Sequence, residues 1–163
     1  MSAIIRKTPG PGGYDKWLPV YDLEAATSEF GPSVAADCIG WMQPPEGIKP
    51  DGRHFVAQVF GRAMEPLIPD GSYCIFRGCV MGAITGKVLL VQHWTVSDPE
   101  TGGSYTVRGV REWRSLDSDS SDEPCGSRTA IHLLPLNRAF PPIVIDPVQV
   151  EELRVIAEML HVV

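Results

Sequence analysis

Short apolar stretches recur along most of the chain, and turn residues separate them. In HFVAQVFG (54–61), Phe55 and Ala57 fall on one face of an extended chain, whereas Val56 falls on the other. Such alternation is typical of a β-strand, and VLLV at 88–91 is apolar enough for a central strand. The pattern predicts strands over the following ranges: 54–61, 72–80, 87–96, 105–115, 129–137, 141–147 and 154–162.

The C-terminal segment fits two kinds of structure. Its apolar residues Val150, Leu153, Ile156 and Leu160 have a spacing that a helix would allow. Its ending, LHVV, contains β-branched residues that favour a strand. We interpret residues 154–162 as a strand, with a helix as the alternative.

Glycine and proline are frequent, with 16 and 15 residues among 163, whereas their usual combined share is roughly 12% of a chain. They are spread without a period, and 44% of the residues are hydrophobic, so neither a collagen-like nor a wholly disordered chain fits. A chain of this length can bury a self-sufficient core. Pattern and composition together predict a mainly β domain with many turns.

Composition also suggests how the chain is organised. Residues 1–17 are polar and contain PGPGG, which favours a flexible N-terminal arm. Residues 18–53 alternate short apolar stretches with Gly and Pro, which predicts an extended arm draped over the domain, and residues 54–163 are the predicted domain. The first 53 residues show no pair of amphipathic helices, so a helix-turn-helix that reads DNA is not expected.

Charge and cysteine content restrict the expected partners, compartment and metal sites of the protein. The chain carries 20 acidic and 14 basic residues, a net charge of −6, which argues against direct DNA binding. Its N-terminus has no apolar signal segment and no window resembles a membrane span, so we expect a cytoplasmic protein with no membrane partner. Of four irregularly spaced cysteines, Cys74 and Cys79 could form half a zinc site, but no second pair accompanies them. No metal and no cofactor is expected.

The most specific motif lies at residues 55–77, FVAQVFGRAMEPLIPDGSYCIFR. It resembles the core signature of the LexA/UmuD-like self-cleaving serine peptidases, in which a strand delivers Gly-x-Ser-Met-x-Pro and an Asp-Gly turn follows. The later strands resemble those of the family in order, so the likeness covers about residues 54–163. It implies a LexA-like peptidase fold of small curled antiparallel sheets, and the matching motif positions are Gly61, Ala63, Met64, Pro66, Asp70 and Gly71.

The resemblance also locates the family's Ser-Lys dyad. Ala63 stands at the position of the serine nucleophile, and Arg108, which follows YTV, stands at the position of the lysine base. Alanine has no nucleophilic atom, and arginine stays protonated in proteins. As written, the chain therefore lacks both members of the dyad, and Ser72, Cys74 or Lys87 offers no convincing replacement.

Two explanations for Ala63 remain open. The chain is either a natural pseudo-protease or a self-cleaving peptidase whose serine was exchanged for alanine to stop cleavage. Arg108 favours the natural origin, because an engineer who removes a lysine base has little reason to choose another cation. The resemblance puts the cleavage region near Ala26, Thr27 and Ser28, although the Ala-Gly pair that family members often cut is missing there.

The likeness finally suggests partners. The layout of an arm followed by a β domain implies a homodimer formed through the C-terminal strands, here 131–137 and 154–163. We therefore expect a silent peptidase-fold protein that dimerises or docks on a larger protein of DNA repair, stress response or defence. The alternative is a self-cleaving serine peptidase in an inactivated form. A β-barrel whose tryptophans line a ligand pocket is a third and weaker hypothesis.

Overall fold

The structure is a computed structural model that contains a single chain. The cleavage-region equivalent, Ala26, Thr27 and Ser28, lies outside the described residues, as do Cys79 and Cys125. The residues that the structure describes are 4–5, 16–21, 38–78, 80–93, 97–100, 105–116 and 127–163.

The described chain is mainly β, as the hydrophobic pattern predicts. All strands belong to one sheet with the order β1-β3-β2-β4-β5-β10-β6-β7-β8-β9. The strands are β1 (Ile4–Ile5), β2 (Leu18–Tyr21), β3 (Cys38–Met42), β4 (His54–Val59), β5 (Ser72–Gly78), β6 (Val88–His93), β7 (Tyr105–Leu116), β8 (Ser127–Leu134), β9 (Ile143–Ile145) and β10 (Leu153–Val162).

The C-terminal segment is a strand, and the helical alternative survives only as a short 3-10 turn at Val150–Glu152 directly before it. The N-terminal half of β10 pairs with β6 and its C-terminal half pairs with β5, both antiparallel. Ala157 is shared, because it lies opposite Gly78 on one side and Leu90 on the other. The last strand of the chain therefore joins the β4–β5 hairpin to the β6–β7 hairpin.

The two faces of β7 enter different apolar clusters. Tyr105 and Val107 pack in the cluster that also holds Phe55, Phe76 and Ala157. Val110 belongs to a second cluster with Leu89 and Ile131 on β6 and β8. Because side chains alternate along a strand, Arg108 is on the same face of β7 as Val110, with Leu89 as its cross-strand partner.

The segment expected to be an extended arm contributes strands to the sheet. β2 pairs antiparallel with β3 and parallel with β4, and Leu18 and Val20 are fully buried. They form a third apolar cluster with Met42, Val56 and Ile75. Ile4–Ile5, within the predicted flexible arm, pair with β3. The packed structure therefore includes residues ahead of position 54.

Within the described ranges, no helix has the length and apolar character needed to cross a membrane.

Candidate active site

The connection between β4 and β5 carries the motif residues. Its base is closed by two hydrogen bonds, one from the backbone N–H of Gly61 to Asp70 Oδ1 (2.8 Å) and one from the N–H of Gly71 to the Val59 carbonyl (2.8 Å). Gly61 and Gly71 have φ values of +103° and +80°, a region that side chains other than glycine rarely adopt. The sequence motif therefore encodes a closed turn.

Two apolar side chains fix this turn on the sheet. Met64 is buried and Ile68 is fully buried, and both pack in the cluster of Phe55 and Val107. The N–H of Ile68 donates to the Met64 carbonyl at 2.9 Å, and the Glu65–Pro66 peptide between them is cis. The turn is thereby held against the strand that carries Arg108.

Ala63 lies inside the turn with only 4% of its surface exposed. Its carbonyl accepts hydrogen bonds from the backbone N–H groups of Leu136 (2.9 Å) and Asn137 (2.8 Å), in the loop after β8. Asn137 Nδ2 also donates to the carbonyl of Arg62 at 3.1 Å. The position that the resemblance assigns to the nucleophile is thus rigidly anchored, but it presents a methyl group.

Arg108 is 1% exposed, and its Nη2 lies 3.6 Å from Oδ2 of Asp98, which is 8% exposed. Asp98 also accepts hydrogen bonds from the Thr106 hydroxyl and from the N–H of Glu100. The Nε and Nη1 atoms of Arg108 are buried and have no hydrogen-bond partner among the residues that the structure describes. Because the guanidinium keeps its proton and faces a carboxylate, Arg108 cannot serve as a general base.

Glu100 connects the two halves of the site. Its Oε1 accepts from the backbone N–H of Arg62 at 2.8 Å, and its Oε2 accepts from that of Ala63 at 3.2 Å. A Cβ atom on Gly61 would lie 2.6 Å from Glu100 Oε2, so glycine there leaves room for the carboxylate. Since the N–H of Glu100 donates to Asp98, a continuous chain of contacts joins Ala63, Glu100, Asp98 and Arg108.

This arrangement has consequences for acyl-transfer chemistry. Such chemistry needs a nucleophile, a neutral base and hydrogen-bond donors for the developing oxyanion. At the two positions that the resemblance assigns to the nucleophile and the base, the chain has Ala63 and an Arg108 that faces Asp98, and the N–H group of Ala63 already donates to Glu100. The described side chains at these positions therefore hold an ion pair and a carboxylate bound to backbone N–H groups.

The other nucleophile and base candidates are engaged elsewhere. Cys74 is fully buried in the apolar cluster, and burial raises the pKa of its thiol to about 12, which keeps it neutral. Lys87 Nζ donates to the Met81 carbonyl at 2.8 Å, on the exposed side of a turn. In the part of the chain that the structure describes, no group of three or more His, Cys, Asp or Glu residues could hold a metal ion.

Sequence reasoning missed Asp98 and Glu100. Both lie in SDPETGGS (97–104), which reads as a polar hairpin loop. A signal was nevertheless present, because a buried arginine requires a nearby carboxylate and this loop directly precedes the strand of Arg108. This requirement points to Asp98, which pairs with Arg108, whereas the sequence contains no signal for Glu100 as the acceptor of the Arg62 and Ala63 N–H groups.

No protein-family model matches the chain, and no curated protein matches it.

Proposed function

We propose that this chain is a catalytically silent protein of the LexA/UmuD-like peptidase fold that dimerises or docks on a larger DNA-processing or stress-response protein. The observation that carries the proposal is the contact chain from Ala63 through Glu100 and Asp98 to Arg108. The turn that would present a nucleophile is kept, but its N–H groups are occupied by Glu100, and Arg108 is paired with Asp98.

The contact chain also separates this proposal from its alternative, a self-cleaving peptidase inactivated by exchange of its serine for alanine. An enzyme changed only at the serine would retain a base and free backbone N–H donors. Here Arg108 is paired with Asp98, and the N–H groups of Arg62 and Ala63 both donate to Glu100. Three features disfavour catalysis: the alanine at position 63, the pairing of Arg108 with Asp98, and the occupied N–H groups. An exchange of the serine alone accounts only for the first.

The strand arrangement refines the proposed homodimer. Residues Ile131 to Leu133 of β8 lie between β7 and β9, so this part of the expected dimer strand 131–137 has no free edge to pair. In β10, Met159, His161 and Val162 pair with β5, Leu160 lies in a bulge between them, and these residues have no second strand neighbour among the described residues. Leu160 and Val163 are also 42% exposed. The C-terminal half of β10 is therefore the better candidate for pairing with a second copy.

The enzymatic alternative is tested with Ala63→Ser and with Ala63→Ser/Arg108→Lys. Both proteins are incubated at alkaline pH, and fragments cut within residues 23–31 are sought by mass spectrometry. We expect no cleavage in either, because Asp98 would hold the new lysine in its charged form and Glu100 would still occupy the N–H groups. Cleavage in either variant, with the fold confirmed by circular dichroism, would support the peptidase.

The binding role is tested with the unmodified protein. We expect a dimer by light scattering, and we expect Leu160→Glu to shift it toward monomer, whereas the same exchange at exposed Val148 leaves the mass unchanged. A monomeric protein that also captures no reproducible partner from native lysate would contradict the proposal.

A further inference from the structure

The backbone N–H groups of Arg62 and Ala63 already bind a carboxylate, that of Glu100. Each carboxylate oxygen accepts from one N–H group, at 2.8 and 3.2 Å. We infer that these two N–H groups form a binding site for the chain-terminal carboxylate of a peptide, and that Glu100 is a built-in competitor for it. The inference rests on the proposed docking function and names the chemistry of the partner.

The shape of the site suits a planar carboxylate. The donors are main-chain atoms on neighbouring residues, held by the closed turn and by the bonds from Leu136 and Asn137 to the Ala63 carbonyl. Gly61 provides the space, since a Cβ atom there would lie 2.6 Å from a carboxylate oxygen. The receptor is therefore preorganised, and a second carboxylate could take the place of the first without moving the backbone.

Charge favours a single negative group. Asp98, Glu100 and Arg108 together carry one net negative charge when Glu100 is in place. A peptide carboxylate would replace Glu100 at the N–H groups with a group of the same single charge while Glu100 turns into solvent, whereas a doubly charged phosphate would add one more negative charge beside Asp98 and Glu100. Arg108 contributes a buried positive charge whose Nε and Nη1 atoms have no hydrogen-bond partner in the described part of the chain. The chain's net charge of −6 further disfavours nucleic acid.

Glu100 is suited to be displaced, whereas Asp98 is not. The Glu100 side chain is exposed, while Asp98 is 8% exposed and is held by Arg108, Thr106 and the Glu100 N–H. An exposed side chain can exchange its hydrogen bonds for water at little cost. Because Glu100 is tethered, its high effective concentration weakens an external carboxylate without excluding it.

Exposed apolar side chains near these N–H groups indicate a peptide with apolar last residues. Phe60 precedes Gly61 and is 39% exposed, Leu67 lies in the same turn and is 46% exposed, and Leu136, whose N–H donates to Ala63, is 49% exposed. Apolar residues next to an anion site are the features that a peptide's C-terminus would use.

The test measures binding of fluorescein-labelled peptides by anisotropy. The probe is Gly-Ser-Leu-Val-Leu with a free terminal carboxylate, compared with its C-terminal amide and with the amide of Gly-Ser-Leu-Glu-Leu. Proteins are the wild type, Glu100→Ala, Glu100→Ala/Gly61→Ala and the matched control Glu46→Ala, an exposed glutamate in the loop before β4. Circular dichroism confirms that each variant folds.

We expect Glu100→Ala to bind the free-acid peptide at least tenfold more tightly than the wild type does, and at least tenfold more tightly than it binds the amide. Adding Gly61→Ala should abolish the gain, because the new Cβ fills the carboxylate position, and Glu46→Ala should match the wild type. Equal binding of acid and amide by Glu100→Ala, or no binding at all, overturns the inference. The inference is also overturned if Glu100→Ala binds the glutamate peptide amide as tightly as the free-acid peptide, because the site would then accept a side-chain carboxylate. It is overturned as well if acetate competes with an affinity equal to that of the free-acid peptide.

The result is separable from the proposed function. A wild-type protein that dimerises while Glu100→Ala ignores the peptide refutes the carboxylate site alone. Cleavage by Ala63→Ser/Arg108→Lys refutes catalytic silence without bearing on the peptide measurement.

Discussion

Two equally buried places in this sheet have opposite chemistry. Around Cys74, in the β4–β5 hairpin, the neighbours are apolar, and Phe55 and Phe76 stack at 5.5 Å between ring centroids. On β7, the guanidinium of Arg108 faces Asp98, and two of the guanidinium nitrogens have no hydrogen-bond partner within the described ranges. Cys74 is 0% exposed and Arg108 is 1% exposed, so the difference lies in polarity and not in depth.

The difference in polarity suggests that the apolar surroundings of Cys74 serve only the stability of the fold, whereas the charged surroundings of Arg108 serve more than stability. Burying charges costs several kcal/mol per ion before pairing recovers it, and apolar residues of similar volume often stabilise a protein equally well. A domain that needed only stability could fill the space of Arg108 and Asp98 as it fills the space around Cys74. The charged cluster is therefore not explained by stability alone, which supports the proposed binding role.

The largest effect is expected from removing one member of the buried pair. Arg108→Met leaves Asp98 buried without its cation, which should lower the free energy of unfolding by about 3–5 kcal/mol in urea denaturation. Arg108→Met/Asp98→Asn should recover most of that loss, because no unpaired charge remains and the new side-chain amide oxygen can still accept the N–H of Glu100. A loss below about 1 kcal/mol in the single variant would show that the pair is effectively solvated.

A smaller effect is expected where the turn meets the carboxylate. Gly61→Ala should destabilise the fold by about 1–3 kcal/mol, because alanine is strained at a φ of +103° and its Cβ displaces Glu100. The matched control is Gly82→Ala, with a φ of +78° and open space around the position, which measures the backbone strain alone. Gly61→Ala should cost more unfolding free energy than Gly82→Ala, and this additional loss should vanish when Glu100 is also replaced by alanine. An additional loss that persists would show that the new Cβ does not clash with Glu100.

The apolar side of the comparison is tested at alkaline pH. The pKa of the Cys74 thiol is raised by burial to about 12 from 9.0, so only the unfolded chain releases this proton between these values. The contribution of the neutral thiol to the free energy of unfolding is therefore fully present below pH 9 and is lost as the pH rises. Near pH 10 the free energy of unfolding should be lower by about 1.4 kcal/mol for this reason. Urea denaturation from pH 8 to 10 should show a steeper loss for the wild type than for Cys74→Ala. Equal slopes would mean that Cys74 ionises in the native state.

The sequence predicted where the strands lie along the chain better than it predicted which strands pair with each other. Alternation in 54–61 and 105–115 locates β4 and β7 because the period of a strand is local. The insertion of β10 between β5 and β6 depends on which edge accepts it, and no local pattern encodes that choice. Ala63 and Arg108 were found through a motif, whereas Asp98 and Glu100 were missed because their roles arise only when the loop folds back on the turn.

The smallest effect is expected at the exposed end of the β4–β5 hairpin. Partial burial raises the pKa of Asp51, but the Arg53 N–H, His54 and Arg77 outweigh it, so the pKa lies below 3.8. The carboxylate therefore stabilises the fold above this range, and the contribution is lost as pH falls through the lowered pKa. Since Asp51 is 42% exposed, solvent screening limits the contribution to a few tenths of a kcal/mol, about the size typical of surface pairs. In urea denaturation, Asp51→Asn should have a slightly lower free energy of unfolding than the wild type at pH 7 and the same value at pH 2. A loss as large as that of Arg108→Met would show that this exposed charge contributes as much to stability as the buried one.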